Sequence, residues 1–307
     1  MYLVLIGANG MLAQAVKKVV PQEVELTQLD LPDFDITDRE EVLVKMAGVK
    51  PDVILNCAAY TNVDGCESEE ELATRVNGDG PGYLAEAAKA TGATLVHIST
   101  DYVFDGEKTT PYTEEDPTGP MSAYGRSKLA GERAILASGL EKYFILRTSW
   151  LYGPGGKNFV ETILRLAKER EELRIIADQV GSPTLTEDLA EAIFKLLGLT
   201  RPASRVTRHG IYHFSNEGQC SWYDFACAIV EEARQGGEEL KVERILPIKT
   251  EEYPLPAQRP AYSVFSKEKH RAATGAEVPE WRQSLKRYFE IRDEERGTRD
   301  AEAKDFS

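Results

Sequence analysis

The amino-acid sequence predicts an α/β fold, a doubly wound parallel sheet that carries a smaller mixed α/β lobe. In the first half of the 307-residue chain, short apolar runs alternate with amphipathic helical patterns. This alternation requires right-handed parallel crossovers between the strands. A glycine-rich turn directly after the first strand indicates the Rossmann type of this fold. After Trp150 the alternation becomes irregular, which predicts a second structural unit.

The strands of the first half are short and apolar, as expected for strands that helices cover on both faces. A helical pattern of about 10–20 residues separates each from the next. In chain order, the predicted strands are YLVLI, VELTQL, DVILNCAA, TLVHIST and YFILRTS.

The change of pattern also predicts the domain boundaries. We expect a dinucleotide-binding Rossmann domain at 1–150, whose sheet is completed by a later segment at about 205–220. The segment 151–291 is expected to form mainly a substrate-binding lobe. The charged segment 292–307 has the composition of a disordered tail.

Composition limits the partners. The formal net charge is −14 and no basic stripe is present, which argues against nucleic acid. No apolar run approaches the ~18 residues that a membrane span requires, so we expect no membrane partner. The opening residues lack the basic leader of a signal peptide, and we expect a cytoplasmic protein. Cysteines and histidines show no metal-ligand spacing, and no metal is expected.

The turn LIGANGMLA is the first candidate binding site. It reads G-x-x-G-x-x-A, with Gly7 permitting a tight turn, Gly10 a close approach of a pyrophosphate and Ala13 close helix packing. The N-terminus of the following helix presents free N–H groups to the phosphates. Asp30 ends the second strand, where a carboxylate binds the adenosine ribose. Because a carboxylate there repels a 2′-phosphate, the residues alone favour NADH.

The segments STDYVFDG and SAYGRSKLAGE carry the candidate catalytic residues. Tyr124 and Lys128 are four residues apart in a predicted helix and therefore share one face. An ammonium group one turn away lowers the pKa of a phenol, which is about 10 in free tyrosine. Thr100 ends the fourth strand, where parallel sheets place ligands. These residues predict hydride transfer between a nicotinamide and a ketone, with Tyr124 as proton donor and Lys128 tuning it.

With these motifs, the chain resembles the extended short-chain dehydrogenase/reductases, and among them the dTDP-4-dehydrorhamnose reductases. The resemblance covers the chain from the first strand to about Ser263. STDYVFDG and RTSWLYG together are specific to this subfamily and its close relatives. The other matching segments are PDVILNCAAYTNVDGCE, YGRSKLAGE, NFVETILRLAKER, DQVGSPT and AQRPAYS.

The resemblance implies which residues hold the cofactor. It implies NADPH or NADH, because the family commonly accepts NADPH and some members use both. The implied contacts are Gly10, Met11 and Leu12 to the pyrophosphate, Asp30 to the ribose, Asp35 and Ile36 near the adenine, and Ala59, Tyr60 and Thr61 beside the nicotinamide.

The same resemblance implies a dTDP-sugar substrate, with reduction of the 4-keto group of dTDP-4-dehydro-L-rhamnose to dTDP-L-rhamnose. Thr100 and Asp101 are implied to contact the sugar, and Trp150 the nucleotide-sugar. Arg259 is a candidate for the diphosphate, because an acidic protein needs a cation there and arginine binds phosphate bidentately.

One feature departs from the family. Some members are dimers bridged by magnesium through carboxylates, one of them on the first helix, whereas here that helix has Gln14 and Ala15. We therefore expect no metal. Whether the protein forms a homodimer stays an open question. Two alternative functions also stay open: another nucleotide-sugar 4-ketoreductase or epimerase, and a non-catalytic NADP-binding regulatory subunit of methionine adenosyltransferase.

Overall fold

Twelve strands are present in the computed structural model, which describes residues 1–200 and 209–305. Most of the longer ones are the apolar runs that the sequence predicts. In chain order they are β1 (Tyr2–Ile6), β2 (Glu25–Leu29), β3 (Val53–Asn56), β4 (Thr94–Thr100), β5 (Tyr143–Thr148), β6 (Leu151–Tyr152), β7 (Glu172–Ile176), β8 (Val180–Gly181), β9 (Thr184–Leu185), β10 (Gly210–His213), β11 (Cys220–Ser221) and β12 (Arg244–Ile248).

Eleven α-helices lie between and after these strands in the described residues. They are α1 (Met11–Val19), α2 (Arg39–Val49), α3 (Val63–Ser68), α4 (Glu70–Thr74), α5 (Gly80–Thr91), α6 (Ala123–Ala137), α7 (Phe159–Glu169), α8 (Thr186–Leu196), α9 (Trp222–Gln235), α10 (Glu268–Thr274) and α11 (Trp281–Asp305). A π-helical turn, Arg75–Asp79, joins α4 to α5. Short 3-10 turns occur at Asp101–Val103 and Thr250–Glu252.

Six strands form one parallel sheet in the order β10-β5-β4-β3-β1-β2. Apolar clusters cover both faces of this sheet, so the predicted doubly wound α/β fold is confirmed. The strand order reverses between β1 and β3, and parallel sheets bind ligands outside the carboxyl ends of the strands at such a point. Gly7 follows β1 and Cys57 follows β3 at this edge. The fold therefore places the glycine turn at the binding position.

The second lobe has its own apolar core. Side chains of α7, α9 and α11 pack there with β7, which pairs with β12 in a parallel ribbon. Two further two-stranded pairs are present in the described residues, β11-β8, which is antiparallel, and β6-β9, which is parallel. Of the segment 205–220 that was expected to complete the sheet, Gly210–His213 forms β10 beside β5, whereas 205–208 lie outside the described residues.

The segment 292–307, predicted to be a disordered tail, begins within helix α11. Helix α11 continues to Asp305, and 306–307 lie outside the described residues. Arg292 is buried, with its guanidinium nitrogen Nε 3.1 Å from the Glu161 carboxylate and a second ion pair to Glu238. These long-range ion pairs anchor a segment whose local composition indicates disorder. Across 1–200 and 209–305, no helix is both long and apolar enough to cross a membrane.

Candidate active site

The glycine turn has the geometry that a close-approaching phosphate requires. Gly7 has φ +74°, and a Cβ added there would lie 2.6 Å from the backbone nitrogen of Ala58. Only glycine accommodates both the left-handed conformation and this contact. Gly10 precedes α1 in an extended conformation, so the open N-terminus of the helix faces the end of the sheet. The turn therefore fits a dinucleotide pyrophosphate.

Asp30 lies beside this turn, directly after β2. Its carboxylate accepts hydrogen bonds from the backbone nitrogens of Asn9, at 2.7 Å, and Leu31, at 2.8 Å. These bonds fix the carboxylate at the rim of a cavity of about 260 Å³. The predicted cofactor residues that line this cavity are Gly7, Gly10, Asp30, Asp35, Ile36 and Ala59.

A larger cleft of about 720 Å³ extends from the glycine turn across the carboxyl ends of β4 and β5. It brings together residues that are far apart in the sequence. The predicted residues that line it are Gly10, Met11, Leu12, Ala59, Thr61, Thr100, Asp101, Tyr124, Lys128 and Trp150. In addition, the buried hydroxyl of Thr148 lines this cleft and has no hydrogen-bond partner among the described residues. An unpartnered buried hydroxyl is a site that a ligand can satisfy.

Helix α6 positions the tyrosine and the lysine. Ser122 caps the helix by accepting a hydrogen bond from the backbone nitrogen of Gly125, at 3.1 Å. Tyr124 lies in the first turn and contacts Tyr102 edge-on, with ring centroids 5.4 Å apart. Thr100 ends β4, where its hydroxyl donates to the Asp101 carboxylate at 3.0 Å. The cap thus sets the phenol beside a strand-end hydroxyl.

The electrostatics of Tyr124 differ from the sequence-based expectation. Burial raises the pKa of Tyr124, and a hydrogen bond with Thr100 opposes that rise. Lys128 is not among the groups that shift the pKa of Tyr124, and its Nζ atom donates to the backbone oxygen of Ile98, at 2.6 Å. Burial also lowers the pKa of Lys128 to about 8. Lys128 is therefore the residue whose pKa lies closest to neutral pH in this pair.

Asp101 is a buried acid in the same cleft. It is only 2% exposed. Burial raises the pKa of its carboxyl to about 6, and hydrogen bonds from Ser263 and Thr100 oppose that rise. Desolvation disfavours the charged form, so a polar ligand that donates to this carboxylate gains a hydrogen bond to a poorly solvated acceptor.

Trp150 adopts a left-handed backbone conformation, with φ +47°. Such strain in a non-glycine residue is uncommon and concentrates at functional sites. Its indole stacks on Trp222 with ring centroids 3.5 Å apart. A Cβ at Gly181 would lie 2.6 Å from this indole, which explains the glycine in the DQVGSPT segment. Trp150 is therefore held by the second lobe at the edge of the cleft.

Arg259 and Tyr60 are the two predicted residues that line neither the 260 Å³ cavity nor the large cleft. Arg259 lines neighbouring cavities of about 450 and 560 Å³. Its guanidinium makes a bidentate pair with Asp64, with nitrogen–oxygen distances of 2.9 and 3.1 Å. The side chain of Tyr60 instead donates to Glu69.

Asn77, in the π-helical turn, is a site residue that the sequence analysis missed. Its side chain accepts from the backbone nitrogen of Tyr60, at 2.8 Å, and donates to that residue's backbone oxygen, at 3.0 Å. It also donates to the Ser127 hydroxyl, which donates in turn to the Tyr124 backbone oxygen. Asn77 therefore clamps the predicted nicotinamide loop to α6. The only local signal is an asparagine–glycine pair inside a helical pattern.

The fold and this cleft define a class of protein, a dinucleotide-binding Rossmann protein of the short-chain dehydrogenase/reductase type. The family model described as RmlD substrate binding domain matches residues 1–293. The chain is 43% identical to a dTDP-4-dehydrorhamnose reductase of Burkholderia thailandensis, covering 93% of this chain and 97% of that one. It is 45% identical to the spore coat polysaccharide biosynthesis protein SpsK of Bacillus subtilis, covering 93% and 96%.

The crystal structure of a dTDP-4-dehydrorhamnose reductase from Bacillus anthracis in complex with NADP superimposes with a TM-score of 0.86. It is 40% identical and covers 94% of this chain and 98% of its own. The chain belongs to the dTDP-4-dehydrorhamnose reductase family. The resemblance that the motifs indicated is thereby confirmed.

Proposed function

We propose that the protein reduces the 4-keto group of dTDP-4-dehydro-L-rhamnose to give dTDP-L-rhamnose, using NADPH or NADH. One observation carries the proposal beyond family membership. A single cleft contains the glycine turn together with Thr100, Tyr124 and Lys128, so a dinucleotide and a ketone have the same meeting point. When bound, the reduced nicotinamide supplies a hydride to the keto carbon.

The cofactor fits the residues that surround the two cavities. The pyrophosphate is held at Gly10, Met11 and Leu12. Gly7, in the same turn, packs so closely against Ala58 that no side chain fits at its position. The adenosine end occupies the cavity lined by Asp30, Asp35 and Ile36. The nicotinamide end lies towards Ala59 and Thr61, with the Tyr60 backbone fixed by Asn77. Lys128 is available to the ribose hydroxyls in the same cleft.

The choice between the two cofactors depends on Asp30. Its carboxylate disfavours a 2′-phosphate, whereas the Bacillus anthracis relative is in complex with NADP. Each carboxylate oxygen of Asp30 already accepts one backbone hydrogen bond, which spreads its charge. We therefore propose that the protein accepts both cofactors.

Side chains of this protein supply the proton that the keto oxygen takes up during reduction. The Thr100 hydroxyl and the Tyr124 phenol line the same cleft. The Tyr124 phenol can donate to a keto oxygen bound there, and Thr100 can do so once its hydroxyl turns away from Asp101. Tyr124 gives its proton to the oxygen as negative charge develops there. The raised pKa of Tyr124 keeps the phenol protonated before the reaction. Lys128, with a pKa near 8, is suited to restore that proton.

The nucleotide part of the substrate is assigned to the second lobe. A cavity of about 560 Å³ adjoins the catalytic cleft at Tyr102 and contains Trp222 and Arg259 among its lining residues. Asp101 and Trp150 line the catalytic cleft, and Trp150 stacks on Trp222 of the neighbouring cavity. Aromatic faces bind a base and a guanidinium binds a diphosphate.

Two further properties are part of the proposal. We expect a cytoplasmic location. We also expect that the protein can form a homodimer, and size-exclusion chromatography tests this oligomeric state.

The deciding experiment measures NADPH and NADH oxidation with the dTDP-keto-sugar, for wild type and Tyr124→Phe. We expect net consumption of reduced cofactor and a fall in kcat of roughly 10²-fold in the variant, the scale for losing a proton donor. Tyr143→Phe is the matched control, because Tyr143 begins β5 at the opposite edge of the sheet. It should leave kcat unchanged.

Other outcomes would contradict the proposal. An epimerase keeps its cofactor bound and shows conversion without net oxidation. A regulatory subunit of methionine adenosyltransferase binds NADP and captures the synthetase in a pull-down, without turnover of the sugar. An unchanged rate in Tyr124→Phe would remove this residue from the mechanism.

A further inference from the structure

Lys128 has a second neighbour inside the protein, apart from its position in the cleft. Its side chain is only 2% exposed. Nζ lies 2.6 Å from the backbone oxygen of Ile98 and 3.4 Å from the Nε2 atom of His97. His97 is fully buried in β4, one strand residue before Ile98. Burial and the nearby lysine hold the pKa of His97 well below its ordinary value, so the imidazole is neutral.

The neighbours of His97 determine which of its nitrogens carries the hydrogen. Asn56, buried at the end of β3, accepts a hydrogen bond on Oδ1 from the backbone nitrogen of Ala58, at 3.0 Å. A backbone N–H can only donate, so the amide orientation of Asn56 is fixed. Its Nδ2 group therefore donates to the Nδ1 atom of His97, at 3.1 Å. A neutral imidazole that accepts on Nδ1 carries its hydrogen on Nε2.

This tautomer directs an N–H towards Nζ. An ammonium has three donors and no acceptor, whereas a neutral amine has a lone pair that accepts from Nε2–H. The pair is therefore satisfied when Lys128 is an amine and in conflict when it is an ammonium. Two other titratable side chains act on Lys128, since Glu132 and Cys57 favour its charge. A third, Tyr124, lies one turn away on the same helix.

None of these three reverses the effect of His97. Glu132 is bound by Arg147 through two hydrogen bonds, at 2.9 and 2.7 Å, so its charge is compensated. Burial raises the pKa of the Cys57 thiol to about 12, which keeps it uncharged. Tyr124 is a neutral phenol.

We propose that His97, oriented by Asn56, is a positioning residue that holds Lys128 and makes its ammonium ready to release a proton. The consequence is a lysine that readily releases a proton into the cleft that it shares with Tyr124, since a donor works best with a pKa near the operating pH. This inference rests on the proposed function for its role in turnover, although the tautomer itself does not.

The first test therefore needs no substrate. Nitrogen-15 NMR of the histidine rings in the full-length wild-type protein distinguishes a protonated nitrogen from an unprotonated one. We expect the His97 signal to show hydrogen on Nε2 and none on Nδ1 between pH 6 and 9. Hydrogen on Nδ1 would overturn the proposal, whether or not the protein proves to be a reductase.

The second test reverses the contact with two variants. Asn56→Asp still accepts from Ala58 and also accepts from Nδ1–H, so Nε2 becomes an acceptor for the ammonium. His97→Gln offers a side-chain oxygen directly to Nζ. Both changes should raise the Lys128 pKa. Because the ammonium is the active form, the alkaline limb of kcat/KM should move up by about one pH unit.

Thermal melting checks that each variant is folded. Two variants are used so that the test still works if one of them fails to fold. A purely structural role for His97 would lower activity at every pH and leave the limb in place. That result in a folded variant would overturn the proposal. If neither variant turns over substrate, an NMR titration of Lys128 reports the same shift, and an unchanged Lys128 pKa is then the contradicting result.

Discussion

The two sides of the cleft are built by different kinds of contact. On the cofactor side, the important residues are neighbours in sequence, as in the turn Gly7–Gly10 and the pair Tyr124 and Lys128. On the substrate side, the contacts join distant segments, since Arg259 pairs with Asp64, 195 residues away. The cofactor side therefore depends on backbone shape, whereas the substrate side depends on how the second lobe packs.

The largest expected effect breaks the cofactor side at its backbone. Gly7→Ala meets the backbone nitrogen of Ala58 at 2.6 Å and also forces a left-handed alanine. The conformation alone costs about 1 kcal/mol, and the clash raises the total to roughly 3 kcal/mol or more. We expect a large fall in the melting temperature and loss of NADPH binding, measured by calorimetry.

Gly92→Ala separates the two causes. Gly92 has φ +77°, almost the same conformation, yet an added Cβ there meets no atom within 4 Å. This variant should lose only about 1 kcal/mol and bind NADPH as the wild type does. Equal losses in both variants would show that the contact with Ala58 is unimportant.

The features that the sequence could predict are local ones, and those that it could not predict are contacts between distant segments. Local rules predicted the parallel sheet, the glycine turn and a tyrosine and lysine on one helix face. They could not predict that Lys128 would bond to Ile98, because that contact depends on the distance between α6 and β4. Asn77 was missed for the same reason, since its partners Tyr60 and Ser127 come from a loop and a different helix.

The tail shows the limit from the other direction. Composition indicated disorder from residue 292, whereas Arg292 is buried among the carboxylates of Glu161 and Glu238. Two ion pairs to segments more than 50 residues away hold Arg292, and local rules do not include such contacts.

An intermediate effect is expected on the substrate side. Arg259→Ala removes the proposed diphosphate ligand and the bidentate pair with Asp64. Charge-assisted bonds of this kind contribute about 2 kcal/mol, so KM for the dTDP-sugar should rise roughly 10- to 30-fold. The dissociation constant of NADPH should not change, because Arg259 lies outside both cofactor cavities.

Arg244→Ala is the control for that prediction. Arg244 makes a comparable ion pair with Glu172, at 2.9 Å, in the same lobe, but its side chain is 70% exposed. An exposed pair contributes little, and KM should stay at the wild-type value. If Arg259→Ala weakened NADPH as much as the sugar, the division between the two sides would fail.

The smallest expected effect lies at the boundary between the two sides, where the rings of Trp150 and Trp222 stack. Trp222→Leu removes the ring that stacks on Trp150 at 3.5 Å while leaving Trp150 itself in place. An aromatic pair contributes about 1 kcal/mol beyond its buried area, so KM for the sugar should rise about fivefold. Trp222→Phe keeps a stacking ring and should recover most of the loss. Trp150 borders the catalytic cleft and Trp222 the nucleotide cavity, so a change confined to kcat would instead show that the second lobe acts on the chemistry itself.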